Sequence, residues 1–157
     1  MNSERDNPDS EAAEKISLYK VGRHPAHLIR RAHQRGVQLF NSAVFLENLT
    51  ASQFAALATL LEAGPMPQSR LGRLASMDPS TISVVVRKLL SEKLVEKTKL
   101  PSDRRTSVIA LTERGRRCAE QHVPISIRAG EDLLAALSEG ERILLLELLD
   151  KITPLED

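Results

Sequence analysis

Apolar side chains recur at helical spacing over most of this chain, and only one stretch has the β-branched character of strands. Pro25 suits the first position of a helix, where its missing amide proton would be unsatisfied in any case. Leu28, Ile29, Ala32, Leu39, Phe40, Ala43, Val44 and Leu46 follow at near-helical spacing, which predicts one long helix ending near Leu49. Thr50 and Gln53 form a capping-box pattern ahead of Phe54, Leu57, Leu60 and Leu61, so a second helix is expected to run to Gly64-Pro65. A short third helix fits Gln68 to Ser76, with Leu71, Leu74 and Ala75 inward. Asp78 is then a good N-cap and Pro79 a good first residue. Ile82, Val85, Val86, Leu89 and Leu90 form the inward stripe of a fourth helix.

Two short helices joined by a tight turn are a helix-turn-helix candidate. Val95 to Thr98 reads as a short strand, Lys99 to Arg105 as a polar loop, and Thr106 to Leu111 as a second strand, giving a β-hairpin with a basic tip. Thr112 is placed to cap a long fifth helix expected to bend at Pro124. Ser138 and Glu141 open a sixth. In that last helix Ile143, Leu144, Leu145, Leu146, Leu148, Leu149 and Ile152 cover more than one face, so a lone copy would leave a large apolar patch in water. A second copy of the chain, packed with the long first helix, would bury it.

Length and charge sharpen this picture. A chain of 157 residues has room for one compact domain, or two small lobes sharing helices. The net charge of +1 hides a strong asymmetry, for residues 66–117 carry +7 while 1–15 carry −3 and 118–157 carry −6. Residues 16–65 carry +3, so the basic charge is concentrated in the middle of the chain and the acidic charge at its two ends. Clustered Lys and Arg of this kind is the electrostatic footprint of a phosphate-binding module. The first fifteen residues have almost no large apolar groups and are expected to be a mobile tail. The chain has no apolar run of membrane length and no signal-peptide pattern, so a cytoplasmic protein without membrane contact is expected. Its one cysteine, Cys118, cannot form an internal disulfide.

With the inward stripe of the fourth helix assigned to the core, Ser80, Thr81, Ser83 and Arg87 are left facing outward. Short hydroxyls near a helix N-terminus and an arginine one turn later suit a helix laid in the major groove. An amphipathic surface helix with capping hydroxyls would show the same residues. The hairpin that follows tips the balance, because it presents Arg104 and Arg105, and arginine is favoured in the negative potential of a narrow minor groove. Asp103 would be repelled by phosphate and is assigned instead to wing shape, pairing with Arg105 or another basic group.

The segment Asp78-Pro-Ser-Thr-Ile-Ser, then Leu89-Leu-Ser-Glu-Lys-Leu-Val95, Pro-Ser-Asp103-Arg-Arg105, Leu111-Thr112 and Gly115, resembles the MarR family of bacterial regulators. The specific part is the wing pattern of Asp-Arg-Arg, five residues, Leu-Thr, two residues and Gly. The resemblance spans roughly residues 16 to 153. It implies a mainly α, winged helix-turn-helix fold with a small β-wing, and a triangular homodimer on a pseudo-palindromic operator, often released by a small aromatic or phenolic ligand. Carried onto this chain, it places Ser80, Thr81, Ser83 and Arg87 in the major groove and Arg104 and Arg105 on the wing. It also divides the chain into a DNA-binding lobe over 50–117 and dimerisation helices over 16–49 and 118–157. Lys93 departs from the pattern, since members commonly carry glycine at the end of the recognition helix, and some strain in that turn is expected.

The opening of the first helix, Gly22 to Gln34, is unusually polar and is similar to members that regulate breakdown of aromatic acids, including nicotinate-pathway repressors. His27, Arg31 and Gln34 share one helix face, where a guanidinium and an imidazole would hold a planar aromatic or heteroaromatic carboxylate or its thioester. Solvation of the helix or a role between subunits accounts for them equally well. A metal-responsive regulator of the same fold would instead draw on His24 and His27, or on Cys118 and His122 at i, i+4, but two isolated pairs do not make a tetrahedral set. No metal or other cofactor is assigned. A nucleophile elbow, a phosphate loop and an HExxH motif are all missing, so an enzyme is not expected. A winged-helix module that binds a protein or shapes DNA without an effector remains the other alternative.

Overall fold

The computed structural model describes residues 16–44, 49–100 and 103–154; for Leu100, Asp103, Arg104, Arg105 and Thr106 it describes the backbone only. The tail expected over the first fifteen residues lies outside this range. The chain divides into two compact units, Met1–Arg35 and Gly36–Asp157. In the first, a 3-10 turn, Val21–Arg23, precedes the start of helix α1, Pro25–Ala43. The extension of α1 to Leu49 falls on residues 45–48, which are not described.

The second unit is built on α2, Ala51–Ala63, at its centre. Thr50 starts it as expected: the Thr50 amide donates to Gln53 Oε1 at 2.8 Å and the Gln53 amide donates to Thr50 Oγ1 at 3.2 Å. That exchange satisfies two orphan donors and gives the side-chain oxygen of the buried Gln53 a partner. Gly64 ends the helix at φ 77°, a conformation open to glycine. Leu57 and Leu60 of α2 are buried together with Leu71 from α3, Gln68–Leu74, and with Ile82, Val86 and Leu89 from α4, Pro79–Ser91. Phe40 stacks on Phe54 with centroids 4.9 Å apart, extending this core to the end of α1.

α3 and α4 approach closely because Gly72 has no side chain; a Cβ there would meet Ile82 Cγ2 at 3.1 Å. Both helices end in the same hydrogen-bonded turn. After α3 the amides of Met77 and Ser76 reach the carbonyls of Gly72 and Arg73 at 2.8 and 3.0 Å. After α4 those of Leu94 and Lys93 reach Leu89 and Leu90 at 2.9 and 3.0 Å. This is the Schellman pattern, whose C′ residue must be left-handed. Ser76 and Lys93 occupy those positions at φ 52° and 57°. The strain anticipated at Lys93 is present, and α3 closes at Leu74 instead of Ser76.

The hairpin is longer than its sequence suggests. β1 is Val95–Leu100 and β2 is Asp103–Leu111, so Lys99, Arg104 and Arg105, expected in a loop, lie in strands. The antiparallel register runs from Val95 opposite Leu111 to Lys99 opposite Ser107, then slips so that Leu100 faces Asp103. Backbone exchange between Met66 and Ile109, at 3.2 and 2.8 Å, ties the segment before α3 to β2. α5, Glu113–Leu133, continues through Pro124, and α6, Glu139–Ile152, follows. The Ser138 amide and hydroxyl both donate to Glu141 at 2.8 Å where α6 begins. Along α6, Ile143, Leu144, Leu146, Leu148 and Ile152 are each about half exposed or more, and no residue is buried. Among the described residues no helix is long and apolar enough to cross a membrane.

Candidate nucleic-acid interface

The outward surface of α4 starts from its cap. Asp78 accepts hydrogen bonds from the amides of Ser80 and Thr81 at 2.9 and 3.0 Å, and from both of their hydroxyls. The Ser80 hydroxyl, followed by the Thr81 hydroxyl and amide, holds the Asp78 carboxyl well below the usual carboxylate range. Ser83 is also engaged: its hydroxyl donates to the Pro79 carbonyl at 2.8 Å and accepts from Gln68 Nε2 of α3 at 3.0 Å. The three hydroxyls expected at the groove therefore donate their protons within the protein, and what they retain is acceptor capacity.

Arg87 is exposed and makes no hydrogen bond or ion pair among the described residues. Lys88 is paired with Glu92 at 2.9 Å. Between Ser80 and Arg87 stands Val84, 61% exposed, although its neighbours Val85 and Val86 are buried. Arg70 and Arg73 are exposed on α3. Sequence reasoning passed over Val84, Arg70 and Arg73; the charge of the 66–117 segment was the available signal for the two arginines.

On the wing, Arg104 and Arg105 fall in the register slip of β2, between Asp103, which faces Leu100, and Ser107, which faces Lys99. A bulge of this kind bends its strand and redirects side chains. The side chains of Asp103, Arg104 and Arg105 lie outside the described ones.

His27, Arg31 and Gln34 follow one face of α1, with Arg31 and Gln34 exposed and His27 half-buried, but none lines a described cavity. A cavity of about 470 Å³ lies instead in the second unit, lined by Leu49, Glu92, Leu94 and the first turns of α5. There Arg114, Arg117 and Gln121 are exposed, while His122 is 2% exposed. His122 Nδ1 lies 2.7 Å from the Cys118 carbonyl oxygen, which only accepts, so that nitrogen carries a proton. Cys118 Sγ is 3.9 Å from the same nitrogen. No group of three or more metal-ligating side chains occurs among the described residues.

Residues 49–107 match the MarR family model. The chain is 33% identical over 134 residues to the HTH-type transcriptional repressor NicR of Pseudomonas putida, covering 85% of both proteins. The chain belongs to the MarR family. Its winged helix-turn-helix fold is that of solved members. One is Bordetella bronchiseptica BpsR, whose DNA binding is regulated by 6-hydroxynicotinic acid: TM-score 0.79, 30% identity, 88% of this chain and 99% of that one. Another is a cysteine-to-serine variant of E. coli MarR complexed with operator DNA: TM-score 0.73, 26% identity, 82% of this chain and 93% of that one. This MarR-family chain is a transcriptional regulator, as its relative NicR is named.

Proposed function

We propose that this regulator is a homodimeric repressor that binds a pseudo-palindromic operator and is released by an aromatic or heteroaromatic carboxylate or its thioester. The observation that carries the reading is the likeness to BpsR over nearly the whole chain, since BpsR couples DNA binding to a hydroxylated heteroaromatic acid. In this reading residues 50–117 form the DNA-binding lobe. Arg87, with the acceptor oxygens of Ser80, Thr81 and Ser83, meets the major groove, and Arg104 and Arg105 meet the minor groove. Asp103 holds the wing in shape. Residues 16–49 and 118–157 form the dimerisation helices, and the apolar side chains exposed along α6 support a second copy as their cover.

Two places suit the acid. One is the α1 face of His27, Arg31 and Gln34. The other is the α5 cavity, whose volume of about 470 Å³ falls within the range of small-molecule pockets and whose lining offers Arg114 and Gln121 to a carboxylate, with Arg117, 3.3 Å from Glu113, able to exchange that partner for the ligand. Fluorescence anisotropy on DNA from the protein's own upstream region, titrated with aromatic acids, hydroxynicotinates and aryl thioesters, tests the proposal. Release by one class is expected. Specific binding that no member of the panel disturbs would overturn the effector, and loss of all sequence discrimination would overturn operator binding.

A further inference from the structure

We infer that Val84 is a specificity-determining residue that reads the 5-methyl group of a thymine in each half of the bound DNA. The inference rests on the operator-binding reading above and adds to it the chemistry of one base contact.

Three consecutive valines, Val84, Val85 and Val86, enter α4 together, and the helix treats them differently. Val85 and Val86 are 7% and 1% exposed and belong to the core, whereas Val84 is 61% exposed. A single exposed apolar residue is ordinary on a protein surface. Here its position and neighbours give it meaning. Ser80, Val84 and Arg87 stand at i, i+4 and i+7, the spacing of one helix face, and this face points away from the core stripe of Ile82, Val85, Val86 and Leu89. A β-branched residue lowers helix propensity, and at Val84 that cost is not repaid by burial.

The hydroxyls of this surface have little left to donate. The hydroxyl protons of Ser80 and Thr81 go to Asp78, and that of Ser83 to the Pro79 carbonyl. Arg87 and Lys88, which gives Glu92 one of its three N–H groups, are the cationic donors. Val84 alone is apolar, a pair of methyl groups on a stiff χ1. Of the groups displayed in the major groove, only the thymine methyl is apolar, so it is the feature a valine recognises. A valine loses little rotamer freedom on docking, which suits a contact made by shape alone.

The full-length protein is first used to select its operator from random duplex DNA. Each symmetry-related pair of thymines is then replaced by deoxyuridine, which removes the methyl group and nothing else. At one pair the wild type is expected to lose about fifteen-fold in affinity, from roughly four-fold per buried methyl. Val84→Ala should lose a similar factor on the thymine duplex and bind thymine and uracil duplexes equally. Alanine favours an exposed helix position, so the variant should fold, as its thermal melt would verify. Val84→Thr, which keeps one methyl, should retain part of the discrimination. Wild-type indifference to every uracil substitution, or the same thymine preference in Val84→Ala, overturns the assignment. So does an equal loss by Val84→Ala on both duplexes. Those results leave operator binding standing; failure to select any operator overturns operator binding and Val84 with it.

Discussion

The carbonyl oxygen of Leu94 occupies the space where Gly115 would carry a side chain: a Cβ there would lie 1.8 Å from that oxygen and 2.7 Å from the carbonyl carbon. The neighbour is backbone, so it cannot turn aside as a side-chain end would. Gly115→Ala is expected to push β1 and the first turn of α5 apart, at a cost on the order of 3 kcal/mol in urea unfolding. A variant as stable as the parent would mean that this approach is looser than described.

The two left-handed residues closing the helix-turn-helix point the other way. Ser76→Gly and Lys93→Gly relieve a backbone conformation that L-residues resist, at φ 52° and 57°. Each should stabilise the fold by up to about 1 kcal/mol, net of the extra freedom glycine gains when unfolded. Thermal melts of the single and double variants check this, and a fall in Tm for either would count against the strain.

Asp78 carries a pH dependence of defined sign. Its carboxyl is held below the ordinary value of 3.8, chiefly by the Ser80 hydroxyl, so the unfolded chain binds its proton more readily. The stabilisation is complete above the unfolded pKa and fades as pH falls through the lower folded value. Asp78→Asn should therefore melt below the wild type at neutral pH, and the two curves should begin to converge as pH falls below about 4. A constant gap down to about pH 2.5 would show that charge is not what the cap contributes.

On DNA, the two arginine sites should separate by signature. Arg87→Ala is expected to cost about 1–3 kcal/mol and to relax preference at one position per half-site. Arg105→Ala should weaken binding more evenly across sequences and reduce the salt slope by about one. Unchanged affinity in both would sink the two-groove arrangement.

Effector response should discriminate between α1 and α5. Arg31→Ala and Arg117→Ala are both expected to leave operator affinity within about two-fold, and the one lining the acid site should lose release by it. Loss in Arg117→Ala alone would place the acid in the α5 cavity; loss in Arg31→Ala alone would place it on α1. Full release in both would remove the two sites together.

The helices were legible because their inward stripes keep a 3.6-residue period and their ends carry cap residues; Thr50-Gln53 and Asp78-Pro79 behave as their types demand. The tip of the hairpin is not legible, since a two-stranded ribbon with polar residues on both faces has no alternation to read, and the slip at Leu100 is a property of pairing. The outward direction of the Ser80 and Thr81 hydroxyls was readable; their engagement by Asp78 was not, because that depends on where one carboxylate turns. The cavity on α5 was invisible for a simpler reason: Leu49, Glu92 and Arg117 come from three distant stretches of chain.

Thr112 joins more than its own helix. Its hydroxyl lies 2.7 Å from the Lys93 carbonyl and 3.2 Å from that of Leu94, and it accepts the Gly115 amide at 3.0 Å. One oxygen thus clasps the exit of α4, the root of β1 and the entry of α5. Through Thr112, α5, a helix roughly 30 Å long at 1.5 Å per residue, is pinned at its first turn to the end of α4 and the start of β1. In the reading proposed above, a ligand that displaced the start of α5 would have to break or drag these bonds, and α4 with them.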